Sequence, residues 1–370
     1  MGALLRLLLV ASVVVTGCSP APAPQEEPEA PSLLGQFDWP DGVQFTGTTV
    51  GGLSGITYDA GRDVYYVISD DRSEKNPARF YTVRITLSDS VLKGVEVVST
   101  TELRRPDGTP FPPLMRTATP PVIPPDPEGI AFDARREQLY WSSEGERLVD
   151  DPAHPVLLDP WVRVTGLDGG YRGEFILPAD LRMSTGPNGP RRNMALEGLT
   201  LTPSGESVFA GMEGPTFDDG PLPTATEGAR TRVTRFDAAT GVATAQFAYP
   251  LEPITAPDGE ANGLSDLVAL DDQTFLTGER SHGTRNVARI YRASLAGADD
   301  VLDRASLRDA KPMTKELVVD LSTMPGVRSL DNVEGITLGP KLSDGRQSVV
   351  LVTDDNFSPE QTTQFLAIAL

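Results

Sequence analysis

The stretch DPEGIAFD at residues 126–133 sets an acid and a glycine directly before a run of strand-forming residues. The same pattern returns in LEGLTL (196–201) and VEGITL (333–338), and in altered form in LSGITYD (53–59) and LSDLVAL (264–270). Aligned on the glycine or its replacement, the copies centre on Gly55, Gly129, Gly198, Asp266 and Gly335, which are 74, 69, 68 and 69 residues apart. A period near seventy residues predicts a fold assembled from repeated units.

Each copy is followed by a second apolar segment that ends in an acid. In the first four copies two further alternating segments come next, bounded by Gly, Pro, Asp or Asn, as is typical of β-strands. Four strands per unit at a fixed period predict an all-β fold, a β-propeller of four-stranded blades. We count five blades. Six is the alternative, if residues 105–127 hide a degenerate blade, although the many prolines of that stretch favour a loop.

The fifth unit is one strand short, because only TQFLAIAL (363–370) follows its second segment. The stretch around residues 37–49 lies before the first repeat and belongs to no unit. We expect this N-terminal stretch to supply the missing strand and close the ring, which removes open sheet edges. The predicted propeller domain therefore spans residues 37–370.

The first 36 residues predict an exported, lipid-anchored protein. A nine-residue apolar run (7–15), too short to span a bilayer, leads into VTGC at 15–18, which has the form of a bacterial lipobox. Residues 1–18 are thus predicted to be a lipoprotein signal peptide, with Cys18, the only cysteine, as the lipidated residue. The alternative is a plain signal peptide with an incidental cysteine. Residues 19–36, rich in Pro, Ala and Glu, predict a disordered tether.

The predicted location is extracytoplasmic, anchored by lipid to the bacterial cell envelope. This means the outer membrane or periplasm in a Gram-negative cell, and the cell surface otherwise. A formal charge of −20 and a pI near 4.5 disfavour nucleic acid and anionic membrane surfaces as partners. The lipid anchor is therefore the only membrane contact that the sequence predicts.

Propeller geometry brings the repeated acids together. In each blade the first strand lies nearest the axis and the second returns antiparallel, so the start of the first and the end of the second share one face. The strand-start acids are candidate metal ligands or general bases: Glu128, Glu197 and Glu334. The acids beside them are candidate metal ligands: Asp70, Asp71, Glu144, Glu213, Glu279, Asp354 and Asp355, with Asp266 on the same face.

So many carboxylates at one channel mouth repel one another unless cations balance them. One candidate is a hard divalent cation, and Ca²⁺ suits an all-oxygen site outside the cytoplasm. The other is arginine, and the candidate substrate-binding residues are Arg72, Arg79, Arg280 and Arg289. In the purely structural alternative, each acid binds loop N–H groups or links one blade to the next.

The sequence lacks the residues that several other kinds of catalytic or binding site require. His154 and His282 are the only histidines, and no G-x-S-x-G elbow for a serine nucleophile occurs. The sequence also has no cluster of His and Cys for zinc and no glycine-rich phosphate cradle before a helix.

The motifs GLSGITYD, YYVISDDRS and PARFYTVRI, followed by DPEGIAFD, NMALEGLTL and DNVEGITL, resemble the bacterial family called esterase-like activity of phytase, over about residues 50–370. The resemblance implies a secreted or lipoprotein propeller that hydrolyses phosphate or carboxylic esters. The family's name invokes the alkaline β-propeller phytases, in which clustered acids hold Ca²⁺ and basic residues hold phosphate. The leading hypothesis is therefore a Ca²⁺-assisted hydrolase of a small anionic ester. The rival is a non-catalytic propeller that binds a ligand or partner at the surface and carries a structural metal.

Overall fold

Five four-stranded antiparallel sheets surround a central axis in the computed structural model, which describes residues 29–40, 42–88 and 91–370. The strands, numbered along the chain, are β1 (Ser32–Asp38), β2 (Gln44–Phe45), β3 (Thr48–Thr49), β4 (Leu53–Asp59), β5 (Val64–Ser69), β6 (Arg79–Ser88), β7 (Val91–Glu102), β8 (Pro127–Asp133), β9 (Gln138–Ser143), β10 (Glu146–Leu148), β11 (Val156–Leu158), β12 (Trp161–Gly166), β13 (Tyr171–Glu174), β14 (Leu196–Leu201), β15 (Ser207–Met212), β16 (Ala229–Asp237), β17 (Ala243–Leu251), β18 (Ala261–Ala269), β19 (Thr274–His282), β20 (Val287–Ser294), β21 (Thr314–Asp320), β22 (Asn332–Lys341), β23 (Gln347–Asp354) and β24 (Gln364–Ala369). Two short 3₁₀ helices span Ala179–Leu181 and Leu321–Thr323.

Each repeat unit forms one blade. The hydrogen-bonded order is β4-β5-β6-β7 in blade 1, β8-β9-β12-β13 in blade 2, β14-β15-β16-β17 in blade 3, β18-β19-β20-β21 in blade 4 and β22-β23-β24-β1 in blade 5. The first strands β4, β8, β14, β18 and β22 contact one another in that order, and β22 meets β4 to complete the ring. The predicted five-bladed, all-β propeller is confirmed. The six-blade alternative is wrong, because residues 105–126 form a loop that is tied by isolated bridges such as Met115 to Val122.

The N-terminal strand closes the ring, as predicted. β1 pairs antiparallel with β24, from Ser32 opposite Ala369 to Asp38 opposite Gln364. The closing strand starts earlier than predicted, however, so residues 32–36 belong to the propeller and not to a tether. The reason is burial: Leu34 is 5% exposed and Leu33 packs against the core between blades 4 and 5. The predicted signal peptide and Cys18 lie outside the described residues.

Apolar side chains fill the interfaces between neighbouring blades. Val67 of blade 1 and Phe365 of blade 5 are fully buried in one shared cluster. Phe209 of blade 3 packs edge-on against Phe275 of blade 4, with ring centroids 4.8 Å apart. Among the residues that the structure describes, no helix has the length and apolarity needed to cross a membrane.

The repeated glycine allows the first strands to approach closely. A Cβ atom at Gly129 would lie 2.5 Å from the carbonyl oxygen of Glu197 in the next blade, which is closer than real Cβ contacts allow. In blade 4 this position holds Asp266, whose carboxylate accepts hydrogen bonds from the backbone N–H groups of Leu267 and Ile336, both at 2.8 Å. Burial raises the pKa of Asp266 despite these hydrogen bonds. Asp266 therefore links the blades rather than lining the channel mouth.

Candidate functional site

Seven acids and one arginine converge at the mouth of the channel where first strands begin and second strands end. We call this set the mouth ring; its members are Asp70, Glu128, Glu144, Glu197, Glu213, Arg280, Glu334 and Asp354. All eight line one cavity of about 1470 Å³, and the six acids other than Asp70 are buried. The strand geometry thus brings these predicted residues together, and Glu128 lies beside Glu144 as expected.

The first half of the site is centred on blade 2. Ligand oxygens of Asp126, Glu128 and Glu144 lie within 4.8 Å of one another. Ser54 Oγ donates a hydrogen bond of 2.6 Å to Glu128 Oε2, and Arg72 forms an ion pair with Asp126. Asp126 was not predicted from the sequence, because the other repeats have no acid at the corresponding position.

The second half of the site lies between blades 2 and 3. Ligand oxygens of Glu144, Glu197 and Glu213 also lie within 4.8 Å of one another, so Glu144 belongs to both groups. Glu197 Oε2 is buried and has no hydrogen-bond partner among the described residues. Arg280 Nη2 lies 3.0 Å from Glu213 Oε1 and 3.4 Å from Glu334 Oε1. Glu197 thus retains an acceptor that the chain itself does not satisfy.

Burial and mutual repulsion disfavour the charged form of these acids. Burial, followed by the charges of Glu197 and Asp126, raises the pKa of Glu128 well above its ordinary value. Burial and the neighbouring Glu144 and Glu213 do the same to the pKa of Glu197. The pKa values of Asp70, Glu144 and Asp354 are also raised, again chiefly by burial.

Two arginines oppose this excess of negative charge. Burial alone would lower the pKa of Arg72, but attraction to Asp126 and Glu128 outweighs it, so the guanidinium stays charged. The pKa of Arg280 is likewise raised by Glu334 and Glu213 against the effect of burial. The seven ring acids and Asp126 outnumber these two cations, so the site has capacity for protons or for a further cation.

The donor set fits a hard metal ion. Oxygen ligands of Ca²⁺ lie about 2.3–2.6 Å from the ion, so two ligands of one ion are at most about 5 Å apart. Both carboxylate trios meet this condition, since their ligand oxygens lie within 4.8 Å of one another. Carboxylate oxygens are also the ligands that hard cations prefer. The buried acidic clusters could therefore bind a metal.

Two predicted site residues form a structural pair outside the cavity. Arg79 Nη1 lies 2.8 Å from Asp71 Oδ2, and each side chain is only 1% exposed. Arg79 also donates to the carbonyl oxygen of Thr49, and Asp71 accepts from the backbone N–H of Asn76, both at 2.8 Å. The prediction that Arg79 binds substrate is therefore wrong, and Asp71 is likewise committed to holding its own loop.

Glu279 and Asp355 also lie outside the cavity, which corrects their predicted place at the mouth. Glu279 pairs with Lys315 and accepts a hydrogen bond of 2.9 Å from Tyr249 Oη. Asp355 accepts one of 2.8 Å from the backbone N–H of Gly52. The cause is strand alternation, because adjacent side chains of a strand point to opposite sides. The side chain that faces the mouth is therefore that of the next residue, Arg280, in blade 4, and that of the preceding residue, Asp354, in blade 5.

Blade 4 therefore places an arginine where other blades place an acid. The turn between its first two strands is one residue shorter than in blade 3: Ala269 pairs with Phe275, whereas Leu201 pairs with Val208. This shift brings Arg280 rather than Glu279 to the mouth ring. The predicted substrate-binding residues Arg72, Arg280 and Arg289 all line the cavity, and Arg289 is paired with Asp320 at 2.8 Å.

Comparisons with known proteins add a family and several similar folds. The family model described as Phytase-like, esterase-like activity of phytase, matches residues 48–357. No curated protein matches the sequence.

Solved structures with a similar fold include an exo-beta-1,3-galactanase from Phanerochaete chrysosporium, with 11% identity and a TM-score of 0.46 over 90% of this chain and 64% of that one. A xylan beta-1,4-xylosidase from Bacillus halodurans has 12% identity and a TM-score of 0.46 over 86% of this chain and 52% of its own. The tail fiber of Staphylococcus aureus phage P68 has 10% identity and a TM-score of 0.41 over 92% and 52%. The chain thus spans less than two thirds of the length of each of these proteins.

Proposed function

The chain belongs to the phytase-like family described as esterase-like activity of phytase, and from this membership and the mouth ring we propose that it is a hydrolase of phosphate or carboxylic esters assisted by a hard cation, Ca²⁺. The family supports the general class, a hydrolase built on a propeller. The choice of ester and of ion rests on the chemistry of the cavity.

The observation that carries the proposal is the unpartnered oxygen of Glu197 beside two groups of clustered carboxylates. A buried polar atom without a partner is costly, so such atoms are kept where a ligand or reactant uses them. Glu197 Oε2 is buried and unpartnered, and Glu197 also belongs to one of the carboxylate trios. This arrangement supports a role for Glu197 in accepting a proton or binding an ion.

The two halves of the site would have different roles, cation binding in the first and proton transfer in the second. Asp126, Glu128 and Glu144 would hold the cation, since their oxygens converge within 4.8 Å. When bound there, Ca²⁺ would polarise an ester oxygen and would make water a better nucleophile. Glu197 Oε2 would accept the proton of the attacking water. Burial and the neighbouring acids raise its pKa above the ordinary value, which makes the carboxylate a stronger base.

Arginine would orient the substrate. Arg280 and Arg72 both line the cavity and remain charged because acids surround them. A guanidinium offers several N–H donors in a fixed plane, which suits a phosphate or carboxylate oxygen. These two arginines would hold the anionic part of the ester and stabilise negative charge that develops during the reaction.

The test is a panel of substrates: a phosphomonoester, a phosphodiester and a carboxylic ester of 4-nitrophenol, each with Ca²⁺ and with chelator. We expect turnover of at least one of them in Ca²⁺ and its loss in chelator. Glu197→Gln should lower kcat by about 100-fold or more, as expected for loss of a general base. Asp133→Asn is the matched control, because Asp133 is fully buried on β8 at the end opposite to Glu128.

The rival function is a non-catalytic binding propeller with a structural metal. It predicts that Ca²⁺ raises the melting temperature while no ester in the panel is hydrolysed. Absence of turnover by the clean protein in every condition would reject the hydrolase.

The N-terminal motif supports a second, independent proposal: that the protein is lipid-anchored outside the cytoplasm through Cys18. Incorporation of radiolabelled palmitate in cells, lost in Cys18→Ser, would support the anchor. Labelling that persists in Cys18→Ser, or an unlabelled wild type, would reject it.

A further inference from the structure

Five arginines line the cavity, and four of them have carboxylate partners. Arg72 pairs with Asp126, and Arg280 with Glu213 at 3.0 Å. The other two pairs are Arg289 with Asp320 at 2.8 Å and Arg328 with Asp38 at 2.6 Å.

The fifth, Arg285, is exposed and has no ion pair or hydrogen bond within the described residues. Its full charge and all its N–H donors are therefore available to a ligand in the cavity.

Arg280, His282 and Arg285 follow one another in blade 4 and all line the cavity; Arg280 is largely buried, whereas His282 and Arg285 are exposed at the rim. Arg280 and His282 are two residues apart on β19, so their side chains share the face that lines the cavity. The strand rises by about 7 Å over those two residues. Arg285 follows in the loop between β19 and β20, where it is exposed.

The loop that carries Arg285 is hydrogen-bonded to the loop between β17 and β18. Thr284 Oγ1 donates a hydrogen bond of 3.2 Å to the carbonyl oxygen of Pro257, and the backbone N–H of Glu260 donates one of 3.0 Å to the carbonyl oxygen of His282. Gly283 packs so closely that a Cβ atom there would lie 2.6 Å from the carbonyl oxygen of Pro257. A supported backbone presents the Arg285 side chain to the cavity from a fixed point.

We propose that Arg285, together with His282, forms a rim subsite that binds a second oxyanion group of the substrate, remote from the scissile ester. The inference rests on the proposed function, since it takes the mouth ring to be where the ester reacts. The cavity of about 1470 Å³ has room for a substrate longer than a minimal ester. Glu260 lines the same cavity but forms no ion pair with Arg285 among the described residues.

Binding of non-reacting anions tests the subsite without requiring turnover. The probes are adipate, which has a carboxylate at each end, and hexanoate, which has the same carbon chain and one carboxylate. Titration calorimetry in the presence of Ca²⁺ should show adipate binding to the wild type more tightly than hexanoate. Arg285→Gln should lower the affinity for adipate about threefold to fivefold, the worth of an exposed ion pair, and leave hexanoate unchanged.

The matched control is Arg308→Gln. Arg308 is also exposed, has no side-chain ion pair or hydrogen bond in the described part of the chain, and lines a separate, smaller cavity. It should preserve the preference for adipate.

Three results would overturn the subsite: no preference for adipate over hexanoate in the wild type, equal weakening of both anions by Arg285→Gln, or the same loss in Arg308→Gln. Failure of the hydrolase proposal would appear separately, as absent turnover in the ester panel while the preference for adipate persists.

Discussion

Replacing Arg280 with methionine should make the stability of the protein depend more strongly on calcium. Arg280 Nη2 lies 3.0 Å from Glu213 and 3.4 Å from Glu334, and all three side chains are largely buried. Removing one partner of a buried ion pair typically costs about 3–5 kcal/mol, because the remaining charge is left unpaired. In chelator, Arg280→Met should therefore lower the free energy of unfolding by about that amount.

Calcium should restore part of this loss. Removing the positive charge of Arg280 also removes its repulsion of a divalent ion in the mouth ring, which is worth about 1 kcal/mol per unit of the ion's charge at 4 Å even in bulk water, or about 2 kcal/mol in all. The calcium-dependent gain in stability should thus be about 2 kcal/mol larger in Arg280→Met than in the wild type. Urea titrations with chelator and with saturating Ca²⁺ measure both gains.

Arg79→Met provides the control. The Arg79–Asp71 pair is buried like that of Arg280 but lies outside the cavity, so its loss should cost a similar free energy without extra rescue by calcium. Equal calcium-dependent gains in the wild type and both variants would refute the placement of a cation at the mouth ring.

Three further predictions concern single side chains. The pKa of Glu197 is raised above its ordinary value of 4.5, so in chelator its stabilising contribution is present below that pH and is lost as pH rises through the folded-state pKa. Urea titrations should therefore show the wild type losing stability relative to Glu197→Gln as the pH rises above 4.5, and a relative gain would contradict this. Ser54→Ala removes the 2.6 Å hydrogen bond to Glu128 and should lower the unfolding free energy by about 1–3 kcal/mol, whereas an unchanged urea midpoint would show that the hydrogen bond contributes nothing. Gly129→Ala places a Cβ atom 2.5 Å from a neighbouring carbonyl oxygen and should lower the free energy of unfolding by about 1–3 kcal/mol or more. The control is Gly94→Ala, whose Cβ meets nothing within 4 Å and should change that free energy by no more than about 0.5 kcal/mol. Equal effects of the two substitutions would refute close packing of the first strands.

The fold could be predicted because its information is local and repeated. Each unit carries the same acid, glycine and strand pattern, and a glycine such as Gly129 recurs where neighbouring first strands nearly touch. Closure by an N-terminal strand followed from the missing strand of the last unit. Its start at Ser32 was missed because two leucines are a weak signal beside the proline-rich residues that precede them.

The site was only partly predictable, because side-chain direction depends on the length of each turn. A turn shorter by one residue brings Arg280 to the mouth in place of Glu279, and no composition rule reveals that exchange. The repeat pattern does not predict a role for Asp126, because this residue precedes a proline and the other repeats have no acid at the corresponding position. The pairing of Arg79 with Asp71 depends on contacts between a strand and its own loop, which spacing alone does not encode.

The most direct test follows turnover and bound calcium in the same sample during a calcium titration. The protein is first freed of metal by chelation, and ester hydrolysis and calcium content are then measured at each step. The account predicts that hydrolysis rises along the same saturation curve as calcium occupancy, and that Glu144→Gln, which alters the acid common to both carboxylate trios, depresses both. Hydrolysis that proceeds at full rate in the metal-free protein, or calcium binding that is unchanged in Glu144→Gln, would contradict it.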